Sequence, residues 1–232
     1  MNLPNTQLTA AGGWPNSPQE NGHAVVGPGP DFSNTDLRGR DFSGQKLDDA
    51  NFTNADLSGA NMAGTSLTRS RFGHARLTSA NFAGAALTAA SLLGACADHV
   101  NFHCAKLECA CMVKASLRHA NFSGAEASRA RCSGADLFRA DCRGARFLSA
   151  DLTGCFLDHA RFTCAVLDNA NLIAANLNGT DLSNASARCC DFCEADLNSA
   201  IFSGSNLLHA NFQWVKTDNV VWDHPPSVRA AA

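Results

Sequence analysis

The sequence predicts an all-β solenoid, a chain wound into a stack of similar coils around one apolar interior. Three observations predict it. From Asp31 to Gln213 the chain repeats every five residues with no insertion or deletion. Of the 37 positions spaced by five from Phe32 to Phe212, 32 are Phe, Leu or Met, and the exceptions, Ala97, Ala127, Cys132, Cys142 and Ala187, are small and apolar. Two residues before each centre, from Ala50 to Ala210, 26 of 33 positions are Ala and the rest are Thr, Ser, Val or Cys.

A period of five matches neither the turn of a helix nor bare strand alternation. Within one unit, however, the large and the small apolar residue lie two apart, which sends both side chains to the same side of an extended segment. Gly, Asn, Ser and His crowd the place two after the centre, as at Gly39, Asn54, Gly64, Gly124 and Gly144, and these are turn residues. Each unit is therefore a very short strand and a corner. Such a unit buries nothing alone, so stacking must supply the core.

Ala50-Asn51-Phe52-Thr53-Asn54, Ala55-Asp56-Leu57-Ser58-Gly59, Ala120-Asn121-Phe122-Ser123-Gly124 and Ala195-Asp196-Leu197-Asn198-Ser199 carry a family resemblance. They resemble the A-[DN]-[LF]-x-x unit of pentapeptide-repeat proteins, over about four fifths of the chain. The resemblance implies a right-handed quadrilateral β-helix, here about nine coils of twenty residues.

The domain reading is a disordered polar leader at 1–30, the β-helix at 31–213, a C-terminal cap at 214–224 and a disordered tail at 225–232. The leader holds five Pro, five Gly and one charged side chain, Glu20, too little apolar surface to pack. It lacks the basic start and apolar run of a secretory signal. In composition it resembles bacterial type III export leaders, although a plain tail has the same composition. At the other end Trp214, Val220, Val221 and Trp222 are read as a cover for the open solenoid end, with Pro225-Pro226 stopping further pairing. No helical C-terminal end of the kind that dimerises quinolone-resistance members follows, so the chain is read as a monomer or weak dimer.

Eleven cysteines, an odd number, all lie between Cys96 and Cys193. Cys132, Cys142, Cys155 and Cys190 fall on the inner tracks as small hydrophobes. This predicts free thiols in a reducing, cytoplasmic setting. A net charge of −3 gives no argument for nucleic acid or an acidic membrane. Leu77 to Ala97 carries no charge, but it keeps the five-residue register and is no membrane span.

With four units to a coil, residues twenty apart stack in columns about 4.8 Å apart. Asn61, Asn81, Asn101 and Asn121 then form an amide ladder. On another wall His99, His119, Arg139 and His159 form a column flanked by Asp98, Arg118, Phe138, Phe156 and Asp158. Outward aromatics are what interfaces recruit. His99, His119, Phe138, Arg139, Phe156 and His159 are accordingly the partner-binding candidates; the plainer alternative is that the rings merely cover their neighbours. Leu148, Val166 and Ile173 extend the expectation to an apolar outer surface from Ser133 to Ile173.

No phosphate loop, dinucleotide fingerprint, nucleophile elbow or zinc-protease motif occurs. A rod filled by its own side chains offers no dry pocket, so no enzyme, catalytic residue, cofactor or metal is expected. The groups Cys104, Cys109, Cys111 and Cys189, Cys193, His209 diverge on a convex wall, whereas zinc needs converging ligands. Two functions remain. One is a non-enzymatic protein-interaction rod, in its bacterial form an exported effector. The other, implied by the resemblance, is DNA mimicry that protects a type II topoisomerase such as gyrase. Charge opposes the second: residues 31–218 hold 19 acids and 17 bases, against about 26 phosphates on a duplex of the rod's roughly 44 Å.

Overall fold

The computed structural model describes residues 29–223 and 229–230; the leader positions 1–28 and the tail positions 224–228 and 231–232 lie outside the described residues. Its organising feature is a parallel ladder in which residue i pairs with residue i+20. Asp31 pairs with Asn51, Asp36 with Asp56, Asp41 with Asn61 and Lys46 with Ser66, and the four columns continue up the chain to Ile201 and Val221. The ladder makes the chain a β-helix solenoid.

Each unit builds itself from local chemistry. The paired residue comes first, the buried centre second, a two-residue turn next and the small inner residue last. The turn closes by a backbone bond to the centre, as from Ala55 N to Phe52 O at 3.0 Å. Its second residue takes a left-handed conformation, with φ of 58° at Asn54, 67° at Gly59 and 57° at Ala89. This explains the Gly and Asn found there, because other side chains are strained at such angles. Asp or Asn at the paired place holds the turn from below. Its side-chain oxygen accepts the backbone N–H two residues on, at 3.0 Å for Asp56 with Ser58 and 3.0 Å for Asn121 with Ser123. The family unit thus carries its own Asx turn.

The large and small tracks meet in one dry interior. Phe52, Phe72, Phe82, Phe102, Phe122 and Leu137 have no solvent-exposed area, nor do the small centres Ala97, Ala127, Cys132, Cys142 and Ala187. Phenylalanines one coil apart stack, with ring centroids 4.9 Å apart for Phe32 and Phe52 and 4.8 Å for Phe52 and Phe72. Where Cys142 interrupts the column between Phe122 and Phe162, Phe147 from the adjoining side touches both, at 6.1 Å and 5.7 Å. A large ring beside a small residue keeps the local volume constant.

Polar residues enter the small inner track by donating to a backbone carbonyl. Thr65 and Thr180 donate to the carbonyls of Phe42 and Leu157, and the thiols of Cys155 and Cys190 donate to those of Cys132 and Leu167, at 2.7–2.9 Å. In these four the acceptor lies 23 residues earlier, whereas Ser70 and Ser205 donate to the carbonyls of Leu67 and Phe202, three residues earlier, at 2.6 Å and 2.7 Å. No buried side-chain nitrogen or oxygen among the described residues lacks a partner.

Three features mark the C-terminal end. Pairing passes residue 213, through Asp196 with Lys216 and Ile201 with Val221. Of the four covering residues, Trp222 stacks on Phe202 at 4.6 Å and meets Phe212 edge-on at 5.5 Å, but Trp214 and Val221 are about half exposed. Beyond Pro225-Pro226 strand pairing resumes: β1, Gln213–Val215, pairs in parallel with β2, Arg229–Ala230. Of the tail read as disordered at 225–232, the described residues are 229–230, which form this pair.

Candidate interaction face

The column His99, His119, Arg139, His159 owes its existence first to the backbone. All four occupy the left-handed turn position, with φ between 54° and 58°, where His is among the better tolerated residues. That position also aims each side chain away from the core. His99 and His119 stack face to face, centroids 4.9 Å apart and planes 2° apart.

Phe138, one place before the column, is not the open ring that an outward track implies. His119 and His159 meet it edge-on at 5.7 Å and 6.2 Å. The guanidinium carbons of Arg118 and Arg139 lie 4.7 Å and 5.1 Å from its centroid. Two cations over one ring are a favourable arrangement in water, and together they leave Phe138 half-buried. His159 leans the other way onto the next coil: a Cβ on Gly179 would fall 2.5 Å from its Nδ1. The open aromatic is Phe156, 52% exposed, in the paired column between Asp136 and Asn176.

The acids of this wall are already engaged. Asp136 pairs with Arg118 at 2.9 Å. Asp98 accepts from Ser116 Oγ at 2.5 Å and from Arg118 N at 3.1 Å, and Asp158 accepts from Asn176 at 2.8 Å. The structure therefore brings His99, His119, Phe138, Arg139 and His159 into one continuous cluster, with Phe156 on the adjoining paired column of the same wall.

The wider apolar surface is corrected. Leu148, Val166 and Ile173 are half-buried between neighbouring side chains. The large hydrophobics that are most exposed besides Phe156 are Leu93, Leu208, Trp214 and Val221. Leu93 could have been found, since it follows a Leu centre at an outward place. The amide ladder forms as read, with bonds of 3.0–3.2 Å from Asn81 to Asn61, Asn101 to Asn81 and Asn121 to Asn101. Among the described residues no three His, Cys, Asp or Glu side chains converge to hold a metal ion, and no helix is long and apolar enough to cross a membrane.

The pentapeptide-repeat family profile matches 29–64, 65–103, 80–118, 115–154, 140–179 and 175–213. HetL, a pentapeptide repeat protein involved in heterocyst differentiation regulation in the cyanobacterium Nostoc sp. strain PCC 7120, is 25% identical. Its structure aligns over 79% of this chain and 90% of its own, with a TM-score of 0.50. Rfr23, from the cyanobacterium Cyanothece 51142, is 28% identical over 42% of this chain and 64% of its own, with a TM-score of 0.36. QnrB1, a plasmid-mediated fluoroquinolone resistance protein, is 22% identical over 82% of this chain and 91% of its own, with a TM-score of 0.26. No curated protein matches. With its profile spanning the coils from end to end, the chain belongs to the pentapeptide-repeat family.

Proposed function

We propose that the chain is a non-enzymatic protein-interaction rod, a right-handed quadrilateral β-helix of about nine coils that offers the wall of His99, His119, Phe138, Arg139, Phe156 and His159 to a protein partner. The observation that carries this reading is the exposed Phe156 ring beside a rigid cluster of cations and aromatics. A ring held in place on a stiff wall loses little freedom on binding, and aromatic and Arg side chains dominate interface energetics. The core, filled by its own side chains, leaves the walls as the surface for contact.

The test is affinity capture from the native host with the wild-type chain and with Phe156→Asp. Loss of a specific partner with an unchanged melting temperature supports the face; equal capture by both chains removes it. The bacterial, type III exported version of this reading rests on residues 1–30, and fusing those residues to a reporter in an export assay tests it.

DNA mimicry of a type II topoisomerase target is disfavoured by the pairing of the acids. Asp49, Asp56, Glu126, Asp136, Asp141 and Asp196 each face an Arg or Lys within 3.4 Å. A wall so neutralised lacks the field of a phosphate backbone. Unchanged gyrase supercoiling in the presence of the protein is the expected result.

A further inference from the structure

Outside the proposed face, on the wall of the amide ladder, a thiol, an imidazole and a hydroxyl-bearing residue come together. Cys104 Sγ lies 3.4 Å from His103 Nε2 and 3.8 Å from Nδ1. His103 Nδ1 in turn lies 3.0 Å from the Ser123 carbonyl oxygen and 2.9 Å from its Oγ. A carbonyl oxygen only accepts, so this contact fixes the proton on Nδ1 and leaves the Nε2 lone pair free. We propose that Cys104 is a modification site, a surface thiol served by His103 as base and by Ser123 as the group that orients the base, and that it exchanges with small disulfides.

Three features separate Cys104 from the other surface thiols. Cys96, Cys109, Cys164 and Cys189 are also exposed, but among the described residues none has a ring nitrogen within hydrogen-bond reach. Approach to the sulfur is open, because its column neighbours are Gly84 and Gly124, and a Cβ on Gly124 would meet nothing but Cys104 Sγ, at 3.2 Å. The residues stacked one coil to either side of the pair, Ala83, Gly84, Ser123 and Gly124, carry no charge. Arg143, two coils above Cys104's partner His103, is tied to Asp141 at 2.6 Å.

Nucleophile, base and orienting acceptor are the constellation that thiol chemistry uses. The sulfur is 3.4 Å from Nε2 but also 3.8 Å from Nδ1, which places it off the in-plane axis of the Nε2 lone pair, so the proton passes to Nε2 through one solvent water. In the exchange, Cys104 Sγ attacks one sulfur of the small disulfide and a new S–S bond forms. The original S–S bond breaks, and the departing thiolate takes the proton held by His103. Cys104 is oxidised to a mixed disulfide while the small disulfide is reduced to one free thiol, so atoms and electrons balance.

The test uses the full-length reduced chain and oxidised glutathione, with the modification of each cysteine timed by peptide mass spectrometry. Cys104 is expected to react about tenfold faster than Cys96, Cys109, Cys164 and Cys189, well below the gain from a base in a closed site because both groups face water. His103→Ala should bring Cys104 to the level of the others without moving the melting temperature. Ser123→Ala, which keeps the carbonyl, should lose only part of the advantage. Neutral iodoacetamide should give the same ranking, since the base acts on the thiol and not on the reagent. Equal rates at the five thiols, an unchanged rate in His103→Ala, or a preference confined to glutathione would each overturn the assignment.

Discussion

Raising the pH should unfold this rod earlier than an otherwise identical chain without buried thiols. Burial pushes Cys155 and Cys190 up to about 12 and holds Cys132 and Cys142 well above their ordinary value of 9.0. The native state therefore keeps four protons that the unfolded chain gives up. A raised native value means stability that is whole below about pH 9 and is lost as the pH climbs toward the native values. At pH 10 each unfolded thiol gains about 1.4 kcal/mol from ionising, and four gain about 5–6 kcal/mol. A loss of that size is a third or more of the stability of an ordinary domain.

The matched control is the chain with Cys132, Cys142, Cys155 and Cys190 all replaced by Ala. Ala is already the usual inner residue, and Ala97, Ala127 and Ala187 already stand at centres. The carbonyls of Cys132 and Leu167, which accept the two thiol bonds, also accept from Ala135 and Ala170 at 2.8 Å each, so the exchange orphans neither. Urea midpoints would be compared at pH 7, 8, 9 and 10 under reducing conditions. The seven remaining thiols and the lysines are common to both chains and cancel in the difference. The wild-type midpoint should fall more steeply above about pH 9, and because solenoids can unfold in pieces, the fall should be greatest in amide exchange of residues 130–190. Parallel pH profiles for the two chains would refute the argument, since they would mean that the thiols ionise as readily folded as unfolded.

Three further outcomes follow from the same geometry. Acid should also destabilise the rod: Arg38 holds Asp36 at about 2, and Arg69 and Arg143 hold Asp49 and Asp141 below their ordinary value of 3.8. Lowered native values mean stability present above about pH 4 and lost as the pH falls toward 2, so a melting temperature flat from pH 6 to pH 2 would contradict the pairing. Ala174→Gly should raise stability by about 1 kcal/mol in urea unfolding, because Ala174 is held at a φ of 54° where a Cβ is strained. Phe147→Ala should cost about 3–5 kcal/mol, and the loss should be smaller when Cys142→Leu is added to refill the gap beside Phe122 and Phe162.

The core was legible in the sequence because the five-residue register leaves no freedom in what faces inward. Phe122, Leu137 and Leu152 could not point outward without turning every neighbour with them, and all three are fully buried. The walls were legible only as columns. Sequence order places His119 beside Phe138, yet nothing in it tells that Arg118 and Arg139 will fold back over the ring, because long side chains choose among rotamers that the register does not constrain. The Cys104 and His103 contact escaped for the same reason. It joins adjacent residues in one turn, where alternation alone would send the two apart, and it exists because the left-handed φ of 54° at Cys104 swings its sulfur back toward the preceding ring.

That difference bears on how such a rod acquires a function. Residues at centres and inner places are chosen by the fold, so a change there is paid in stability. Outward places carry almost no structural demand beyond turn chemistry at the left-handed residue. Even there the demand is soft, since His, Arg, Cys, Ala, Lys and Glu all occupy it in this chain. Recognition can therefore be written on a wall one side chain at a time while the coils beneath stay unchanged. Under this argument Phe156→Asp, at a half-exposed place, should alter binding and leave unfolding alone, whereas Leu157→Asp, one residue later and fully buried, should unfold the rod whatever it binds. Urea unfolding of the two variants side by side separates the wall from the core; equal destabilisation by both would mean that the wall is as constrained as the interior, and that Phe156 is there for packing.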